Sequence, residues 1–453
     1  MTRSRRVRAR STSGPLFGRT FIVVQLRSGV AARRRRSGFV GLVAAGALVA
    51  LTACTSGSIN NLSGAEASLA GNNGGLSSSA VAPSSAGDPT TASSSAPAGP
   101  TVTASPAFGS KGLSPVAPMS VTTSSGTLKD VTVTNPAGVQ VKGALSTDGT
   151  TWTVGEDLGY GKSYTVTGTA VGTGGATTKI SGTWTTVTPT DQITTSISPG
   201  DGAVVGVAAP VIVHLGYKPT TDAEKAEIMK HVTITTDPQV EGAWAWIRHD
   251  GDQFPSLDWR PREYWPANTK VHVESDIYGL PFGDNYFGGD GATSDFTIGR
   301  NQVVKADATA HNIVVQQDGQ TVATYNASYG NGDIINDPNR VTRSGVHVVS
   351  DMQETTKMSN PQYGYTNVTE HWAVRISDNG EFIHQNQDTV DAQGVTNVSH
   401  GCINLSAEDA EAYFKTAMYG DPVEVTGTSV QLSSADGDIY DWAVPWDQWL
   451  TMG

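Results

Sequence analysis

The stretch from His384 to Leu405, HQNQDTVDAQGVTNVSHGCINL, gathers residue types that make acyl-transfer chemistry possible. It contains His384, His400 and Cys402, one of only two cysteines in the 453-residue chain. A thiolate is a strong nucleophile, and a neighbouring imidazole makes it available near neutral pH. Gly401 beside the thiol would let a substrate carbonyl approach backbone N–H groups able to hold an oxyanion. The same residues admit a second chemistry, with His384, His400 and Cys402 as zinc ligands around an open position. No His-Glu-x-x-His or Cys-x-x-Cys pattern accompanies them. The plainest reading is a small buried thiol with two unrelated histidines.

The elements around this stretch must set its geometry. Arg375–Ser377, a turn at Asp378-Asn379-Gly380 and Glu381–His384 read as a hairpin that puts His384 at a strand end. The residues that follow can return as a loop and bring Cys402 to face it. Ser406 is a helix N-cap with Asp409 at the third helical position, which predicts a helix to about Tyr419 and a stop at Gly420. Asp421–Gly427 reads as a closing strand. Ile313–Gln317 and Gln320–Tyr325 flank Asp318-Gly319, a favoured two-residue hairpin turn. Val341–Thr369 is long and weakly periodic, and is expected to be a lid loop carrying Met358, Tyr363 and Tyr365.

The rest of the chain divides by composition. Eleven of the 30 basic residues, and no acid, fall in residues 1–53, leaving 19 basic against 42 acidic groups beyond. Such an acidic remainder is a poor match to nucleic acid, which rewards basic patches. Residues 1–54 combine an Arg-rich start, an apolar run from Phe39 to Leu51 and Thr52-Ala53-Cys54. This pattern reads as an export signal and resembles the lipobox of bacterial lipoproteins, with Cys54 as the acylated residue. The expected location is therefore outside the cytoplasm, held to the membrane through Cys54. Acylation would leave Cys402 without a disulfide partner. Residues 55–110 are Ser, Ala, Gly, Pro and Thr, and are expected to be a disordered tether. Alternating runs in 111–189 (Val131–Thr134, Thr151–Val154, Tyr164–Thr167, Gly182–Thr185) predict an immunoglobulin-like sandwich. Residues 190–300 predict a second, with a short helix at Asp222–Lys230. Its large aromatics could form a sugar-stacking face, but burial is the commoner use. His214, His249 and His272 show no nearby ligand partners and read as structural or surface residues. Residues 301–427 form a third, β-rich domain. The tail 428–453, rich in Trp, is expected to pack back on the folded domains. The fold class is mainly β: two immunoglobulin-like sandwiches, then a β-rich domain with a short helix after Cys402.

Ser399-His400-Gly401-Cys402-Ile403-Asn404, with His384 upstream, resembles the signature of the L,D-transpeptidase (YkuD) catalytic domain. The domain order resembles that of the mycobacterial and other actinobacterial members. The resemblance implies a cysteine acyltransferase that joins peptidoglycan tetrapeptide stems by 3→3 cross-links, releases D-alanine and uses no cofactor. It implies Cys402 as nucleophile, His384 as base, and the Gln385 backbone carbonyl orienting that ring. His400 and Gly401 would shape the pocket, with the Gly401 and Cys402 N–H groups as oxyanion hole. Ser399 and Asn404 would give hydrogen-bonding support, and Met358, Tyr363 and Tyr365 would form the lid. Carbapenems acylating the thiol are implied as well. Gln385–Thr389 departs from relatives that carry small residues and a Trp after the histidine, so substrate preference is expected to differ there. Water as acceptor (a carboxypeptidase) and a protein lysine (wall anchoring) use the same chemistry. A non-catalytic wall-binding lipoprotein is the reading of another class.

Overall fold

The computed structural model describes residues 99–249, 252–436 and 438–453. The export signal, Cys54 and the tether up to residue 98 lie outside them. No helix among the described residues is long and apolar enough to cross a membrane.

The first domain packs the sheet Val102–Ser105, Ser120–Thr123, Thr151–Val154, Gly143–Leu145 against the sheet Thr127–Thr134, Ser163–Val171, Thr177–Thr185. Alternate residues point inward, as period-2 sequence requires. Trp152, Tyr164, Val166 and Trp184 fill the space between the sheets. The expected tether boundary at 110 is corrected here. Val102–Ser105 pairs antiparallel with Ser120–Thr123 and Phe108 lies against Trp184, so the folded chain begins earlier. This strand shares the composition of the tether, and backbone pairing rather than apolar bulk places it.

The second domain is another two-sheet sandwich, with Gly242–Ile247, Ser256–Pro261, Val211–Leu215 and Thr195–Ser198 in one sheet. Its aromatics are core: Trp246, Trp259 and Trp265 are buried, and the last two rings pack 4.8 Å apart. The helix spans Asp222–Lys230, with the Thr221 hydroxyl accepting from the Glu224 N–H. Two of the three histidines read as unpartnered have carboxylate partners: His249 meets Asp258 and His272 meets Asp295. The tail packs on this domain. Trp449 Nε1 donates to Ala243 O at 2.9 Å, and the Arg260 guanidinium lies 4.6 Å from the Trp442 and Trp449 ring centres.

The third domain packs two sheets around one core that includes Ile313, Tyr329, Val374, Ile403 and Tyr413. The larger sheet runs Gln320–Asn326, Asn312–Gln317, Gln302–Asp307, Pro422–Thr426, Gly345–Val348. Its first hairpin turns at Asp318 and Gly319, both at positive φ, as a type I′ turn needs. The second sheet, Asp351–Asn360, Tyr365–Arg375, Phe382–Gln385, Ile403–Leu405, carries the chemistry. The expected lid loop is instead a long hairpin of two of these strands. Asp351–Thr355 and Thr366–Thr369 are exposed on both faces, so no alternation of apolar residues marks them. The helix after the thiol is Ala407–Phe414, shorter than expected. Ser406 caps it as the sequence predicts, accepting from Asp409 N at 3.1 Å. Its far end stops early, where the Thr416 hydroxyl takes the Tyr413 carbonyl at 2.9 Å.

Candidate active site

Sheet register brings the histidine and the cysteine together. The strand Phe382–Gln385 pairs in parallel with Ile403–Leu405, His384 opposite Asn404 and Ile383 opposite Ile403. Side chains two residues apart share a face. Cys402, one residue before its strand begins, therefore projects on the same side as Asn404 and His384.

The His400-Gly401-Cys402 turn is fastened from three directions. The Ser399 N–H donates to Tyr329 O at 2.9 Å, and the Ser399 hydroxyl donates to Cys402 O at 2.5 Å. The Gly401 carbonyl accepts from the Thr342 hydroxyl at 2.7 Å. Gly401 has φ +131°, a conformation open to glycine and strained for other residues. An added Cβ would meet nothing closer than 3.7 Å, so backbone conformation rather than space demands the glycine. The Gly401 N–H donates to the Ser399 hydroxyl at 3.1 Å. It is therefore already engaged, contrary to the expected pair of oxyanion donors. Among the described residues the Cys402 N–H has no hydrogen-bond acceptor and is the donor that remains.

His384 is 3 % exposed. Its Nδ1 donates to Gln385 O at 2.7 Å, as expected, which leaves Nε2 to exchange a proton with the thiol. A second acceptor was not foreseen: Glu370 Oε2 lies 3.2 Å from the same Nδ1. Burial opposes the imidazolium, but hydrogen bonding and charge from Cys402 and Glu370 outweigh it and push His384 up to about 10. The ring is thus a cation at neutral pH. Cys402 Sγ lies 3.4 Å from Gly380 O. Glu370 is 14 residues from His384 in the chain, and only pairing of the lid hairpin with the histidine strand joins them. A carboxylate in an apparent loop gave no sequence signal.

His400 is exposed and sits between the rings of Tyr363 and Tyr365, 5.2 and 5.5 Å between centres. Burial, then the charge of Arg340, holds it below the ordinary histidine range, against the pull of Asp337. It is a neutral wall of the site. Among the described residues His384, His400 and Cys402 do not bring three ligand atoms together, which removes the geometric basis for the zinc alternative. Asn404 is buried, and its Nδ2 reaches the Thr389 hydroxyl at 3.3 Å. Its Oδ1 has no partner and remains able to accept.

Two clefts meet at Cys402, sharing Met358, Tyr365 and His400 as the ridge between them. One, about 470 Å³, is lined by Arg343, Lys357, Arg375 and Glu381, its arginines being paired with Glu381, Asp436 and Asp378. The other, about 420 Å³, is lined by Glu370, Gln385 and Asp388. The geometry is that of a thiol reachable from two sides at once.

Residues 301–425 match the L,D-transpeptidase catalytic domain (YkuD), and residues 110–281 match the bacterial Ig domain. L,D-transpeptidase 5 of Mycobacterium tuberculosis is 48% identical over 356 residues, 79% of this chain and 77% of that one. The chain belongs to the L,D-transpeptidase family. L,D-transpeptidase 2 of the same species is 36% identical over 360 residues, covering 77% of this chain and 84% of that relative. A solved structure of L,D-transpeptidase 3 from M. tuberculosis, in complex with a faropenem-derived adduct, is 29% identical. It aligns with 51% of this L,D-transpeptidase and 97% of its own chain at a TM-score of 0.41.

Proposed function

We propose that this L,D-transpeptidase forms 3→3 peptidoglycan cross-links through a thioester on Cys402. The observation that carries the reading is the meeting of two clefts at one thiol, beside an imidazolium tied down at Nδ1. The thiol proton resides on His384, and the thiolate attacks the carbonyl between the third and fourth residues of a tetrapeptide stem. The Cys402 N–H supports the oxyanion. The C–N bond breaks, His384 gives its proton to the departing D-alanine amine, and a thioester remains. The side-chain amine of a neighbouring diaminopimelate then attacks, the neutral imidazole takes its proton, and the C–S bond breaks. The thiolate–imidazolium pair is restored, so no metal or organic cofactor enters the cycle. Lys357 in one cleft suits a carboxylate of the donor stem, and Asp388 in the other suits the acceptor amine. His384 is thus a proton carrier that rests loaded, rather than a free base.

Incubating the protein with disaccharide tetrapeptides and reading products by mass spectrometry tests this. A cross-linked dimer that Cys402→Ala abolishes supports the reading. Unchanged stems overturn it, and shortened stems without dimer replace transpeptidation by carboxypeptidase action. A carbapenem should add its mass to the wild-type chain and not to C402A.

We further propose that Cys54 is acylated, anchoring the enzyme to the outer side of the cytoplasmic membrane and facing the wall. Its support is the apolar run that ends at this cysteine. Release of Cys54→Ala into the medium is the expected result, and retention of that variant at the membrane argues against acylation as the anchor.

A further inference from the structure

Among the described residues one group of side chains brings three potential metal ligands together, and it lies outside the transpeptidase site. His249, Asp258 and Asp441 each offer an atom within 4.8 Å of the other two, and all three are buried. Asp258 lies on the strand Ser256–Pro261, His249 follows the strand Gly242–Ile247, and Asp441 opens a short turn of the tail. His249 Nε2 meets Asp258 Oδ2 at 2.7 Å.

Beyond that contact the group is unsatisfied. His249 Nδ1, Asp258 Oδ1 and both oxygens of Asp441 are buried without a hydrogen-bond partner. Asp258 and Asp441 are 0 % exposed. Buried carboxylates persist when paired or when they coordinate a cation. The nearby cation, Arg260, does not fill that role: its Nη1 and Nη2 donate to Pro261 O and Val444 O, and its plane stacks on tail tryptophans. Apart from the His249–Asp258 bond, two acids and an imidazole thus face one another with no further hydrogen-bond partner among the described residues.

We propose that His249, Asp258 and Asp441 bind one Zn²⁺ that clamps the C-terminal tail onto the second sandwich. The imidazole favours zinc over magnesium or calcium, both carboxylates are competent zinc ligands, and water completes the four. Calcium wants about 6–8 oxygens, more than this pocket supplies. Zinc bonds of about 2.0–2.2 Å put ligand atoms about 3.4 Å apart, so the His249–Asp258 pair must open from 2.7 Å and any wider pair must close. The ion takes the place of protons on these groups, and its competitor for the pocket is a proton shared between the two carboxyls.

The test uses the full chain carrying Cys402→Ala, because the active-site thiol would itself take zinc. After chelator treatment and dialysis against Zn²⁺, elemental analysis should give one zinc per chain. Zinc should raise Tm by several degrees and slow hydrogen exchange in residues 441–453. Adding Asp441→Asn should abolish binding. X-ray absorption on the zinc-loaded C402A chain should show nitrogen and oxygen neighbours with one imidazole, a readout that holds even if D441N does not fold. A C402A chain without zinc, zinc retained by folded D441N, or a first shell lacking imidazole each overturns the proposal, the first leaving a shared proton as occupant.

Discussion

Replacing Glu370 by Gln keeps its size and removes the charge 3.2 Å from His384 Nδ1. At that distance an effective dielectric of about 20 gives roughly 5 kcal/mol of attraction to the imidazolium. The Glu370 side chain is 17% exposed, so solvent screens part of this, and a hydrogen bond to a charged group is worth about 1.5–3 kcal/mol net. Taking about 2 kcal/mol, at 1.36 kcal/mol per pH unit, His384 should fall by roughly 1.5 units from its raised value of about 10. The sign follows from which form carbon–nitrogen cleavage needs. The imidazolium supplies the leaving-group proton and is lost as pH rises through the pKa of His384. The basic limb of the profile should therefore move down by about 1.5 units in E370Q. The assay is the rate of carbapenem acylation and of cross-linking against pH, with kcat and KM separated. The variant should lose kcat above about pH 8 and keep KM, and E370D should recover part of the shift. A basic limb in E370Q that coincides with the wild type would show that Gln385 O alone sets the histidine, and the argument from Glu370 would fall.

Two further substitutions probe what holds the site and the tail. Gly401→Ala places a side chain at φ +131° and should cost about 1–3 kcal/mol with severe loss of cross-linking, read by denaturant unfolding and turnover. Trp449→Ala removes a fully buried ring and its bond to Ala243 O, and should cost about 3–5 kcal/mol, read as a lower first unfolding transition and faster proteolysis of the tail.

What the sequence disclosed, and what it hid, follows from the range of the forces involved. Period-2 runs such as Tyr164–Thr167 are legible because one face of each strand is buried. Asp318-Gly319 is legible because a two-residue turn demands positive φ locally. The partners of Cys402 are legible as a contiguous motif, and Gln385 O as the acceptor for His384 was expected from resemblance. Parts of the lid strands, Asp351–Thr355 and Thr366–Thr369, are solvated on both faces, so burial writes no pattern into them. Glu370 and the engagement of the Gly401 N–H were hidden for a different reason. The first needs a non-local strand pairing, and the second depends on a single rotamer of Ser399. Asp258 and Asp441 are far apart in the chain and meet only because the tail folds back.

The parallel pairing of the histidine and cysteine strands separates two design problems. Backbone hydrogen bonds at Ile383–Ile403 and His384–Asn404 fix how far the imidazole stands from the thiol. The crossover that links them lends side chains such as Asp388 and Thr389 to one of the two clefts without setting that distance. Acceptor choice can therefore drift by substitution in the crossover while the proton-transfer geometry stays constant. Exchanging residues 387–390 between homologues should transplant preference for the incoming amine without rebuilding the nucleophile.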